Sequence, residues 1–124
     1  TCREALSAND MRVLDTIELP LPSASRAAVR LLCVLYSIEP RHDAVQTSRE
    51  TWGKRCDGFL AISNVTAVHI SALQVGPDKQ GWQESYHDMW VKSQVIWKLV
   101  ATALVMEYDF FLIGGDDMYV IVEN

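Results

Sequence analysis

The segment Asp109-Phe-Phe-Leu-Ile-Gly-Gly-Asp-Asp-Met-Tyr-Val-Ile-Val-Glu-Asn124 admits two structures, and the choice between them sets the architecture of the whole chain. In one, Gly114-Gly-Asp-Asp117 is a polar turn that folds 110–113 and 118–122 into a hairpin, since Gly and Asp have ordinary turn chemistry. In the other, 110–113 is a buried strand that delivers two adjacent carboxylates, Asp116 and Asp117, to its end. Acids so placed suit a divalent cation, because hard oxygen ligands bind Mg²⁺ or Mn²⁺ and those ions hold phosphates.

Working upstream, Leu31-Leu-Cys-Val-Leu-Tyr36 is a continuous apolar run, which predicts a fully buried strand. Residues 42–54 predict a helix, with Pro40 before its start and Gly53 near its end. A second strand is expected at 59–63 and a third at 67–73, while Gly76-Pro-Asp-Lys-Gln-Gly81 is a loop by composition. The longest helical segment is 84–107. Trp90, Trp97, Ala101 and Leu104 fall on one of its faces, and Val91, Val95, Leu99 and Met106 on an adjacent one, so its C-terminal half is expected to be covered on two sides. Strand, helix, strand, strand, helix, strand is the order of an α/β domain with a largely parallel sheet and right-handed crossovers. In such sheets ligands bind beyond the carboxyl ends of the strands, where Gly114 to Asp117 would stand.

The chain has 124 residues, 49% of them hydrophobic and 22% charged, which bounds it to one domain with a core of moderate size. A formal charge of −5, with no basic cluster, argues against nucleic acid as a partner. No apolar run reaches the ~18–20 residues needed to span a bilayer. Residues 1–28, punctuated by Pro20, Pro22, Ser23 and Ser25, are expected to be a linker, and the chain as a whole a piece of a longer protein. Cys2, Cys33 and Cys56 permit one internal disulfide. Pairing Cys33 with Cys56 would tie a strand to the end of the following helix; the alternative is two buried free thiols. Asn64-Val-Thr66 is a glycosylation sequon.

Five pieces occur in one order: Arg30-Leu-Leu-Cys33; Glu50-Thr-Trp52 with Arg55-Cys56; Met89-Trp-Val-Lys-Ser93; Asp109-Phe-Phe-Leu112; and Asp116-Asp-Met-Tyr-Val-Ile121. Together they resemble the β1,3-glycosyltransferases that include core 1 β1,3-galactosyltransferase and the fringe enzymes, with the core 1 branch the more similar. The resemblance covers about residues 30–124, the donor-binding half of that family's catalytic domain.

It implies a GT-A fold, a Rossmann-like sheet that binds a UDP-sugar with Mn²⁺ (or Mg²⁺) at an acidic motif. The implied reaction is inverting transfer, from UDP-galactose to N-acetylgalactosamine on Ser or Thr, of a glycoprotein or glycan acceptor. An acceptor hydroxyl, deprotonated by a base, attacks C1 from the face opposite the leaving UDP. The base and acceptor pocket are implied downstream of Asn124, so this piece alone is expected to be inactive. An inactive relative serving as a glycosyltransferase chaperone, and a fringe-like N-acetylglucosaminyltransferase, stay open as alternatives. Further implications are a Golgi or ER membrane location through an N-terminal anchor absent from this chain and residues 1–28 as stem. A luminal catalytic domain with the Cys33–Cys56 bridge formed is also implied, and homodimerisation stays open.

The family has three consecutive acids where this chain has Gly115, Asp116 and Asp117. By register Asp117 matches the usual metal ligand. Asp116 is expected to face the ribose or sugar and to assist the metal, because neighbouring strand residues point to opposite sides. Lys92 is either a contact to the donor or an acid, or a solvated helix charge. Arg49 either reaches a diphosphate with its planar fork or sits in a surface ion pair. Trp52, Trp90 and Trp97 are expected in the core, with Trp82 kept as a ligand contact. Tyr119, on an exit strand, either closes over the nucleotide or packs. His42, His69 and His87 lack metal-ligand spacing and are expected to be structural or solvated.

Overall fold

The apolar run after Arg30 forms β1 (Leu31–Tyr36), the strand on which the rest of the chain is layered. The structure, a computed structural model, describes residues 29–75 and 85–123. The expected linker 1–28 with Cys2, the 76–81 loop and Trp82 lie outside the described residues. After β1 come a 3₁₀ turn at Glu39–Arg41, helix α1 (His42–Glu50), a 3₁₀ turn at Trp52–Arg55 and β2 (Gly58–Ser63). A 3₁₀ turn at Val68–Ile70 and β3 (Ala72–Gln74) follow. Then Tyr86–Asp88 leads into α2 (Met89–Leu99), which continues as a π-helical turn over Val100–Leu104 before β4 (Phe110–Gly115).

The four strands form one sheet in the order β3-β2-β1-β4, every ladder parallel. The class is therefore α/β with a parallel sheet, and the hairpin is excluded because β4 pairs with β1, not with the segment after it. Side chains alternate across β1, so both of its faces are covered. Leu32 and Val34 join Leu60 and Ile62 under Ile96, Leu99 and Leu104 of the α2 side. Cys33 and Leu35 join Ala61 under Val45 and Trp52 of the α1 side. Each Leu or Ile fully buried in this way contributes about 1.5–3 kcal/mol.

Four expectations need correction. The helix expected at 42–54 leaves α geometry after Glu50: Thr51 has φ −101° and ψ −99°, and its hydroxyl donates to the Thr47 carbonyl at 2.7 Å. The next turn is tight enough to push Trp52 into the core, 1% exposed. The third strand begins at Ala72 and not at 67. Ala67 and Ala72 exchange two backbone hydrogen bonds of 2.9 and 3.0 Å, closing a loop in which Ser71 turns left-handed at φ 58°.

Among the described residues of the 84–107 segment, only 89–99 is α-helical, and its buried stripe is Lys92, Ile96 and Leu99. Trp90 (61% exposed) and Trp97 (55%) face outward, because among the described residues α2 is covered by the sheet alone. Finally, 118–122 is not a strand. It doubles back along the α1 face, where Met118, Val120 and Val122 pack against the cluster of Cys33, Val45 and Trp52. Gly114 makes room for this return, since a Cβ there would collide with the end of the Met118 side chain.

Of the two cysteine states left open, the structure has the bridge: Cys33 and Cys56 are disulfide-bonded, with Cα atoms 6.2 Å apart. It joins the middle of β1 to the segment leaving α1. At the β4 edge of the sheet Arg30 closes the β1–β4 pair through a 3.2 Å ion pair to Asp109. Hydrogen bonds from the Arg30 side chain and backbone hold the Asp109 carboxyl below its ordinary range. The pair is exposed and its contribution to stability is small.

Two measurements check this packing. Replacing the bridge by Cys33→Ala/Cys56→Ala is expected to lower the unfolding free energy by about 3 kcal/mol in a urea titration, from the chain entropy of a loop this long. Gly58→Ala is expected to cost about 1–3 kcal/mol. A Cβ at Gly58 would lie 2.7 Å from the Tyr108 ring and 2.9 Å from Leu32, between two core groups that cannot both retreat. A neutral Gly58→Ala would contradict this tight packing.

Candidate functional site

The strand order creates the site. From β1 the chain moves to β2 on one side, yet it later returns to place β4 on the other. The strand order therefore reverses between β1 and β4, and in sheets of this kind a crevice forms beyond the carboxyl ends of the strands at such a switch point. A cleft of about 430 Å³ opens there. Ser37 and Arg41 line it from the β1–α1 connection, Met89 and Lys92 from α2, and Asp116 and Asp117 from the end of β4.

Register brings the polar groups together. Tyr36 is opposite Gly115, so the next residues, Ser37 and Asp116, meet across the strand ends. The Ser37 hydroxyl donates to Asp116 Oδ2 at 2.6 Å, and Arg41 Nε donates to Oδ1 at 2.9 Å. The Asp116 side chain is 10% exposed, so both of its oxygens are satisfied where water is scarce. Ser37 is fixed in turn by its N–H, which donates to the Ile62 carbonyl at 2.9 Å. The ammonium group of Lys92, 2% exposed, donates to the Ser37 carbonyl oxygen. Lys92 is thus no solvated helix charge: it braces the loop that holds Asp116.

Asp117 differs from its neighbour. It is exposed, and its carboxylate has no hydrogen-bond partner among the described residues. One of its oxygens lies only 2.9 Å from where a Cβ on Gly115 would stand. An acid at Gly115 would also come within 3.3 Å of the Tyr36 ring, so glycine here leaves the space to Asp117. Among the described residues no group of three or more His, Cys, Asp or Glu side chains converges. The chemistry present still suits a hard cation: Asp117 offers an open carboxylate, and the cleft has room for water and ligand oxygens.

Two of the four expected ligand-binding residues need comment. Lys92 reaches the cleft. Arg49 does not, because α1 starts near the carboxyl end of β1 and runs back; over the seven residues from His42 to Arg49 that is about 10 Å. Arg49 lines a separate cleft with Cys56 and Phe59. Tyr119 lies away from the acids as well: it is 65% exposed and its hydroxyl accepts from Arg55 at 3.4 Å. Asn64 of the sequon is half-buried, and its Oδ1 accepts from the Glu39 N–H at 2.8 Å, anchoring the turn that carries Arg41. His42 is structural, its Nε2 2.7 Å from the Ser63 hydroxyl. His69 and His87 are exposed.

Ser37 and Arg41 went unrecognised in the sequence. The signal was available, because both follow the carboxyl end of β1, the same end that drew attention to Asp116. No protein-family model and no solved structure matches the chain.

The two acids should separate in a stability assay. Asp116→Ala leaves the Ser37 hydroxyl only its long 3.4 Å bond to the Ile38 carbonyl and removes two hydrogen bonds, one charge-assisted on both sides, and is expected to cost about 1–3 kcal/mol. Asp117→Ala, at an exposed position without partners, is expected to stay within about 0.5 kcal/mol of the parent. Equal losses in chemical denaturation would contradict this division of roles.

Proposed function

We propose that the switch-point cleft binds a UDP-sugar together with Mn²⁺ or Mg²⁺, as the donor half of an inverting β1,3-glycosyltransferase of GT-A type. The sequence likeness to the core 1 galactosyltransferase branch supports UDP-galactose as donor and Ser- or Thr-linked N-acetylgalactosamine as acceptor. The observation that carries the proposal is the open carboxylate of Asp117 beside the braced Asp116–Ser37–Arg41 network.

In this proposal Asp117 holds the cation, and Asp116, its oxygens already engaged, keeps the strand end and the β1–α1 loop in fixed relation. The Arg41 guanidinium, whose side chain is 50% exposed, offers its remaining N–H groups to phosphate oxygens. A bound divalent ion would neutralise charge on the diphosphate leaving group. Lys92 adds positive charge at the back of the cleft while bracing Ser37. In this proposal the attacking hydroxyl is the acceptor's own, and a base outside the described cleft deprotonates it. The Cys33–Cys56 bridge supports an oxidising compartment such as the Golgi or ER lumen for this domain.

Calorimetric titration of UDP into the full-length protein tests the proposal. Binding is expected to require Mn²⁺, and Asp117→Asn is expected to weaken it by at least about tenfold. UDP binding that ignores Mn²⁺, or that is the same in Asp117→Asn, would sink it.

A further inference from the structure

We propose that the cleft at the C-terminal end of α1 is a second binding site, one that takes a phosphate or sulfate group. It encloses about 270 Å³ between the end of α1, the turn that follows, and the amino ends of β2 and β3. Neither the nucleotide-sugar proposal nor the acidic pair enters into it.

Ser71 is the decisive group. It is 4% exposed and lines the cleft. Its backbone is fully used, the N–H donating to the Val68 carbonyl at 3.0 Å and the carbonyl accepting from Ala61 at 2.9 Å. Its hydroxyl has no partner among the described residues. A buried hydroxyl left unmade is unfavourable. Ser71 is also, among the described residues, the one non-glycine at positive φ, 58°, where glycine would sit without strain. A side chain is kept at a position that favours none, and it carries an unused hydrogen-bonding group on a residue that lines the cleft. Strained residues of this kind concentrate at ligand sites.

The charges agree. Arg49 and Lys54 line the same cleft, and neither has a hydrogen-bond or ion-pair partner among the described residues. Glu50 lines it too, with its carboxylate accepting from Gln46 Nε2 at 3.0 Å, which leaves the three side chains at net +1. Phe59 and the bridged Cys56 form an apolar floor that keeps the local dielectric low. A planar guanidinium fork, an ammonium point charge and a hydroxyl are three donors of different direction. A tetrahedral oxyanion has enough oxygens to meet all three, whereas a carboxylate has two.

Titrating the ¹⁵N-labelled intact protein with inorganic phosphate, and separately with phenyl phosphate, against sodium chloride at equal ionic strength tests the proposal. Saturable shifts are expected at Arg49, Lys54 and Ser71. Arg49→Gln is expected to weaken binding about tenfold, the value of one charged hydrogen bond. Ser71→Gly, which suits the left-handed backbone and removes the hydroxyl together with its Cβ, should weaken it several-fold while leaving the fold intact. Tighter binding of phenyl phosphate would assign a phosphate monoester, and equal binding the free anion; both support the site. Shifts absent, no larger than with chloride, confined to Ser37, Arg41 and Lys92, or unchanged in both variants would overturn it.

Discussion

Parallel pairing of β1 with β4 is the constraint on which the rest of this structure depends. Leu31 opposite Phe110, and each pair after it to Tyr36 opposite Gly115, leaves no freedom in where the chain after Gly115 emerges. A slip of one residue would turn Leu112 toward the α2 side and Phe111 and Ile113 toward the α1 side, exchanging the two cores they pack against. Both faces of β1 are buried, so such a slip is opposed twice. Ser37 and Asp116 therefore meet because their strands are locked, and the polar network at the cleft follows from the apolar layers beneath it.

That network separates two acids that are adjacent in sequence. Asp116 is withdrawn from water and so must be satisfied internally, which Ser37 and Arg41 do. Asp117 lies past the end of the ladder, where the chain has begun to turn, and keeps its carboxylate open. Gly115 and Gly114 contribute by lacking side chains: one leaves space for Asp117, the other for the return of Met118 beneath the strand end. Chemistry that needs an available oxygen ligand thus falls to Asp117, and the job of holding loop and strand together falls to Asp116.

Helix α1 separates the acidic cleft from the basic one. It is tied at its start, where His42 meets Ser63, and just beyond its end, where the disulfide fastens Cys56 to β1. Arg49 is carried to the amino end of the strands by nothing more than the length of the helix. The segment after the acids follows the same face, ending with Arg55 paired to Glu123 at 3.0 Å.

Much of this was legible in the sequence because it depends on local pattern. The apolar runs at 31–36 and 110–113 marked strands, the stretch from His42 with few breakers marked a helix, and the order of elements marked a parallel sheet with Asp116 and Asp117 at a strand end. Where the pattern failed, a tertiary contact overrode it. Trp90 and Trp97 are apolar enough for a core, yet the sheet covers the face that carries Ile96 and Leu99, and Lys92 is buried with them because the Ser37 carbonyl awaits it. The apolar 118–122 segment found a helix-covered face and not a neighbouring strand. By itself, then, the sequence determined the strands at 31–36 and 110–113, the helix that starts at His42, the parallel class and the pair of acids, since these follow from side-chain period and turn chemistry. Only the tertiary structure decided that Arg41 and Ser37 meet Asp116 and that Arg49 does not, because strand order and register bring together residues that no spacing along the chain relates.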